Sequence, residues 1–361
     1  MRNITVVGAG NGGHAIAGYT SLLGNNVVLL TSNPNKKTII RENGNKIKLN
    51  GIIHGEGLLR DVTTDVRRAV THADLIFIVT DATAHKIYAK KMAPHLTEQD
   101  IVLSSPGVGG ALEFYHIIRN MNPNQMATVS ETDTLIYACK VPETGTSLIK
   151  AQKNSIIYTT IPQRASIESD IQRIYPQFKD VHEPLMGIDD SPVFHICGMI
   201  FNSDRIRNRE DFNFYIEGIT PDVTKFMEEM DNERCKVAER LGIEHRTIKQ
   251  WLNVAYGVDL SDLYTMIQNT PPYQNTAEMH NRSPAPKTLH HRYLLEEVLL
   301  RAVPTVSIAE VLGVEMPKYK EMIRRATELT HIDFLHEGRK LENMGLTSDQ
   351  IKNWKSRKHY K

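Results

Sequence analysis

Cysteine is scarce in this chain. Three residues in 361, Cys139, Cys197 and Cys235, are too few and too scattered for a disulfide framework, and reduced thiols in a cytoplasmic protein are expected instead. Net charge is nearly absent as well. Forty-three Lys and Arg against 42 Asp and Glu leave +1, which gives no case for nucleic acid or an anionic membrane as partner. The basic stretch from Lys352 to Lys361 reads as a solvated end. No apolar run approaches the ~20 residues of a membrane span, and since Met1 to Asn3 lead directly into a strand pattern, no signal peptide is expected. There is no HExxH, no CxxC pairing and no GxSxG elbow, so neither a metal site nor a nucleophilic serine is expected. Internal repeats and low-complexity tracts are missing too.

What is present begins at residue 4. Ile4 to Ala15 reads ITVVGAGNGGHA, a β-branched run, a glycine turn and then a helix-compatible segment from His14 to Leu23. Gly8 permits the tight turn out of the strand, Gly10 lets a pyrophosphate lie against the backbone, and Gly13 lets the helix approach the strand. Asn11 and Gly12 complete the turn, and the helix N-terminus offers free N–H groups to phosphate. This predicts a dinucleotide site. Asn26 to Leu30 reads as the second strand. About 20 residues past the glycines, where an NAD site carries an acid for the ribose hydroxyls, the chain has Thr31, Ser32 and Asn33, then Lys36 and Lys37. Small polar groups and lysines suit a ribose 2′-phosphate, so NADP is favoured, with NAD the alternative.

Lys46 to Arg60 looks like a hairpin excursion, Asp61 to Ala73 like a helix, and Leu75 to Thr80 like a buried strand whose end, Thr80 to His85, would line the cofactor crevice. Ile101 to Ser104 is the next strand, followed by a second glycine turn that contains Pro106 and Gly107 and by a helix over Ala111 to Met121. A strand over Ala127 to Ser130 and two or three more before Pro162 complete the half. Such alternation predicts an α/β fold, a Rossmann-type doubly wound parallel sheet over residues 1–187. From 188 to 361 the pattern turns all-α, with helices expected at Thr224–Leu241, Leu294–Val303 and Lys318–Leu329 and a Pro- and Asn-rich loop over Asn269–Pro286.

A nicotinamide enzyme that reduces a carbonyl or imine needs a proton donor near neutrality, an anion clamp and an acid that orients the donor. His195 precedes an apolar helix, and Arg292 stands in HHRYLLEE with Glu296 and Glu297. Asp231, Glu233 and Arg234 (in MDNER) read as structural pairs on a helix.

Several stretches resemble the octopine/opine dehydrogenase family, above all its bacterial carboxyethyl-norvaline dehydrogenase branch. They are Gly8–Ala15 (GAGNGGHA), Ser105–Phe114 (SPGVGGALEF), Tyr215–Asp222 (YIEGITPD), Arg292–Glu297 (RYLLEE), His195 with Asn202 seven residues on, and GRKLENMGL near the end. The resemblance implies a two-domain NAD(P)H-dependent enzyme with its active site between the domains. It would condense an α-keto acid such as pyruvate with the amino group of an amino acid and reduce the imine. By position His195 would relay the proton, Arg292 would hold the keto-acid carboxylate, and Glu297 would complete a triad. Glu131, Thr132, Cys139 and Asn202 would lie at the amino substrate. The chain departs from the family in having Glu297 where Asp is usual, Ile196 where Pro is usual, and a longer Asn269–Pro286 loop. Partners expected are these small molecules, with a homodimer as the assembly to test for. The alternatives are a ketopantoate or glycerol-phosphate type reductase, which would need a catalytic Lys such as Lys225 or Lys236, and a dinucleotide-binding redox sensor without turnover.

Overall fold

The computed structural model describes residues 1–163, 171–189, 193–274 and 283–359. The chain divides into two compact units, Met1–Pro184 and Leu185–Lys361; the expected boundary stood at 187/188.

The first unit is built on an eight-stranded sheet. Its strands are β1 (Asn3–Val7), β2 (Asn26–Leu30), β5 (Asp61–Thr63), β6 (Leu75–Ile78), β7 (Asp100–Ser104), β8 (Thr128–Thr132), β11 (Ile156–Ile161) and β12 (Phe178–Asp180), in the order β12-β11-β8-β7-β6-β1-β2-β5. The six strands from β8 to β5 run parallel, and only β11 pairs antiparallel, with β8. The order reverses beside β1, the position at which doubly wound sheets bind ligands. Central strands such as LIFI of β6 are buried throughout, as expected where helices cover both faces.

Two chain excursions build a second sheet of four strands, ordered β4-β3-β10-β9. The predicted hairpin is β3 (Lys46–Gly51) with β4 (Gly55–Leu58), and β9 (Tyr137–Lys140) with β10 (Thr146–Gln152) joins it, β10 running parallel to β3. This sheet covers α1 (Asn11–Leu22). The approach is close: a Cβ on Gly57 would stand 2.3 Å from the Gly18 carbonyl oxygen.

The helix expected over Asp61–Ala73 is corrected. Asp61–Thr63 pairs with β2 at the sheet edge, and the helix is only Val66–Val70. The Asp65 side chain accepts the Arg68 N–H and sets that start, because an N-cap residue stands outside the helix it begins.

The second unit has no strand among the described residues; Asn213 and Pro284 form an isolated bridge. Its longest helix, Pro221–Leu241, opens on Thr220 as N-cap and closes on Gly242 at φ +67°. Arg234, 1% exposed, pairs with Asp231 at 2.9 Å. Glu233 accepts the N–H groups of Lys318 and Tyr319, capping the Pro317–Thr330 helix. The helix expected to end at Val303 continues to Leu312, through Arg292–Glu297, a π-helical turn at Val298–Ala302, and Val303–Leu312. Pro304 cannot donate within the ladder, and a widened turn accommodates it. Nearby carbonyls are satisfied by the Arg339 N–H on Leu299 and the Thr305 hydroxyl on Arg301. Of the Asn269–Pro286 loop, residues 275–282 lie outside the described residues.

Candidate active site

In the first unit, β1 runs into Gly8 at φ +109°, a conformation that disfavours any side chain. A Cβ on Gly13 would fall 1.6 Å from the Gly8 carbonyl oxygen, whereas one on Gly10 would meet nothing within 4 Å. Gly13 is thus required by packing. Gly10, the N-cap of α1, faces open space beside the helix N-terminus. This cradle fits a pyrophosphate.

Two side chains in α1 tie the turn to the small sheet. The Asn11 side-chain oxygen accepts the Val141 N–H at 2.9 Å. His14, fully buried, lies 3.0 Å through Nδ1 from the Gly10 carbonyl and accepts the Gly145 N–H on Nε2 at 3.2 Å. That pair of partners requires a neutral ring with its proton on Nδ1. Burial lowers its pKa in the same sense.

The residues that follow β2 make hydrogen bonds of their own. Thr31 is buried, and its hydroxyl accepts the Asn33 N–H. Asn33 in turn caps the Pro34–Glu42 helix through the N–H groups of Asn35 and Lys36. Ser32 stays exposed. Lys36 reaches back 27 residues to donate from Nζ to the Ala9 carbonyl at 2.8 Å, which puts a cation at the rim of the glycine turn.

Thr80 packs its methyl against Gly8, and His85 opens the His85–Met92 helix as a buried residue. Pro106 and Gly107 are buried in the second glycine turn. Glu131 accepts the Ala111 N–H at 2.6 Å, at the start of the Gly110–Met121 helix. The Thr132 hydroxyl accepts the Ser105 N–H. Both brace that turn. Cys139, half-buried on β9, has its thiol pushed up to about 11 by burial, so it stays protonated at neutral pH.

In the second unit the Val193–Phe201 helix carries His195, and the Arg292–Glu297 helix carries Glu297. The structure brings them together: His195 Nδ1 lies 2.8 Å from Glu297 Oε1. The other carboxylate oxygen lies 2.8 Å from Arg301 Nε, inside the π-helical turn. Burial opposes ionisation of Glu297, and Arg301, His195 and Arg292 outweigh it, holding the carboxyl below its ordinary range. The imidazole is sandwiched further. Tyr293 stacks on it at 4.0 Å and 7°, and the Tyr215 hydroxyl lies 3.1 Å from Nε2.

Arg292 is placed differently from Glu297. Its guanidinium, 51% exposed, donates from Nε and Nη2 to Glu296 Oε2. Asn202 is buried and donates to the carbonyls of Gly198 and Gly218, closing the turn that carries Tyr215. Arg301 and Tyr215 were not singled out by sequence reasoning. The i,i+4 spacing of Glu297 and Arg301 is a local signal for the first; Tyr215 lies within the YIEGITPD stretch without a distinguishing pattern of its own.

Residues 189–330 match the family described as NAD/NADP octopine/nopaline dehydrogenase, alpha-helical domain. The helical unit of the chain is thus similar to that of the octopine and nopaline dehydrogenases. Residues 3–130 match the N-terminus of NAD-dependent glycerol-3-phosphate dehydrogenase. An opine dehydrogenase of Arthrobacter sp. (strain 1C) is 29% identical, with 96% of each chain covered. The octopine dehydrogenase structure with NADH and L-arginine superposes with TM-score 0.81 at 21% identity over 99% of each chain. A yersinopine dehydrogenase with NADP+ does so with TM-score 0.72 at 14% identity over 99% of each; both likenesses speak for the fold. These similarities indicate an NAD(P)-dependent oxidoreductase that acts on CH–NH bonds. No helix among the described residues is long and apolar enough to cross a membrane.

Proposed function

We propose that this protein condenses a pyruvate-like α-keto acid with the amino group of an amino acid and reduces the imine, preferring NADPH. Keto acid, amino acid, NADPH and a proton give the secondary-amine dicarboxylate, water and NADP+. The observation that carries the reading is His195 held between Glu297 and Tyr215. NADPH, bound at the glycine turn, supplies the hydride. The chain's own groups manage the rest. Glu297 fixes the imidazole with its proton on Nδ1 and stabilises the charged ring. Nε2 then serves the substrate as proton donor. Arg292, half-exposed, presents a planar fork to the keto-acid carboxylate; to do so it must share or leave Glu296.

The NADP preference is supported by the missing acid at Thr31 and by Lys36 at the rim of the turn. A carboxylate there would repel the 2′-phosphate, and a lysine attracts it. The two lysines that a reductase of the ketopantoate type would call on, Lys225 and Lys236, are exposed on the Pro221–Leu241 helix, and Lys225 is paired with Asp222.

The test is NAD(P)H oxidation with a panel of keto acids, each with and without amino acids. Turnover requires both substrates. Fast reduction of a keto acid alone would make the protein a simple hydroxy-acid dehydrogenase instead.

A further inference from the structure

The Tyr215 hydroxyl is a polar contact of His195 to which the acid–base scheme above gives no step. Because Nδ1–H donates to the Glu297 carboxylate, Nε2 is the nitrogen whose protonation changes in turnover. Tyr215 stands 3.1 Å from that atom. A phenol both donates and accepts, so this partner suits the bare nitrogen and the protonated one alike.

Tyr215 is held in place by its own neighbours. Its ring stacks on Tyr273 at 3.9 Å and 15°, and Phe214 meets it edge-on at 5.1 Å. Its backbone N–H donates to the side chain of buried Asn213, which donates in turn to the Tyr273 carbonyl. A Cβ on Gly218 would stand 2.4 Å from the Phe214 carbonyl oxygen, so the turn behind Tyr215 closes tightly. Tyr293 is an electrostatic neighbour of the Tyr215 hydroxyl, and its ring lies parallel to the imidazole. Burial pushes the Tyr215 phenol far up, and it stays neutral across the working pH range. Among the described residues, Glu297 lies against the imidazole, and Arg301 and Arg292 act in turn on Glu297.

We propose that Tyr215 is a positioning residue for His195. Its hydroxyl fixes the ring through Nε2 before the substrate engages, donating to the nitrogen when bare and accepting from it when protonated, and gives way when Nε2–H is donated to the substrate. The phenol keeps its own proton at the end of each turnover. This rests on His195 being the proton donor of the proposed reaction.

The test is Tyr215→Phe in the full chain, which keeps the ring stacked on Tyr273. Two readouts are taken: the nitrogen resonances of the His195 ring by NMR, and the pH profile of kcat. In the variant, Nε2 moves towards the value of an unbonded imidazole nitrogen. Turnover falls about 10- to 100-fold through lost orientation, with the KM for NADPH unchanged. A hydrogen bond to a charged group is stronger than one to a neutral group, so the alkaline limb of the profile moves about 0.5–1 unit to lower pH. An unmoved Nε2 resonance overturns the proposal whatever happens to the rate. Should the variant not fold, 3-fluorotyrosine at position 215 keeps ring and hydroxyl and makes the hydroxyl a weaker acceptor. The alkaline limb then moves to lower pH, and a limb that stays in place overturns the proposal. The NMR readout does not depend on activity. A wild type that never turns over keto acid with amino acid, yet shows the Nε2 shift, would sink the proposed reaction and leave Tyr215 standing.

Discussion

Glu297→Gln tests the core of the site with little change of shape. The glutamine oxygen can still face His195 Nδ1 from the position of Oε1, 2.8 Å away. What disappears is the charge. Two unit charges with centres about 4 Å apart attract by about 4 kcal/mol at an effective dielectric of 20. At 1.36 kcal/mol per decade, that is about a 10³-fold loss in kcat when the carboxylate no longer stabilises the imidazolium. Stability falls as well, because Arg301, 12% exposed in its side chain, loses its counter-charge. The pH dependence follows from sign. The Glu297 carboxyl is held below its ordinary value of 4.5 against the pull of burial, chiefly by Arg301. Its stabilisation is therefore complete above about pH 4.5 and is lost as pH falls through the lower folded value. The assay is single-turnover hydride transfer followed at 340 nm, with thermal unfolding at pH 7 and at pH 3 alongside. The gap in unfolding midpoint between wild type and variant should narrow at the lower pH. A variant within tenfold of wild-type kcat would refute the role of the carboxylate charge.

Arg292→Lys should raise the KM of the keto acid more than that of the amino acid, since lysine keeps the charge and loses the fork; equal effects in steady-state kinetics would assign Arg292 to the fold through its pairing with Glu296. Lys36→Ala should cut kcat/KM for NADPH about three- to tenfold relative to NADH at low salt, with the difference shrinking as salt rises. Thr31→Asp should shift preference towards NADH, and a variant that keeps the wild-type ratio of kcat/KM values would remove the argument from the absent acid.

The readable parts of this chain were those whose signal is local. ITVVGAGNGG carries strand, turn and helix start within a dozen residues, and LIFI is buried on both faces because it is apolar throughout. The hairpin excursion at Lys46–Leu58 was visible as alternation between glycines. Asp61–Thr63 was hidden because three residues at a sheet edge show no period, and the helix after them begins at a cap. The run Arg292–Leu312 was cut short in expectation because Pro304 normally ends a helix, and a π-helical turn is not written in apolar spacing. His195 and Glu297, 102 residues apart, were joined only through the family resemblance. Nothing local could join Lys36 to Ala9 or Tyr215 to His195, because those contacts exist only once helices and turns have been placed.

The clasp between α1 and the small sheet bears on what the glycine motif is by itself. The Gly145 and Val141 N–H groups close on His14 and Asn11 across 131 and 130 residues of chain. An excised peptide ending after β8 would hold every glycine of the motif and the six parallel strands, and would still lack both closures. The dinucleotide cradle is therefore not a portable cassette. Its geometry is shared property of the chain from β1 to Gly145, and grafting the motif elsewhere would carry over the turn without the two bonds that hold its helix from behind.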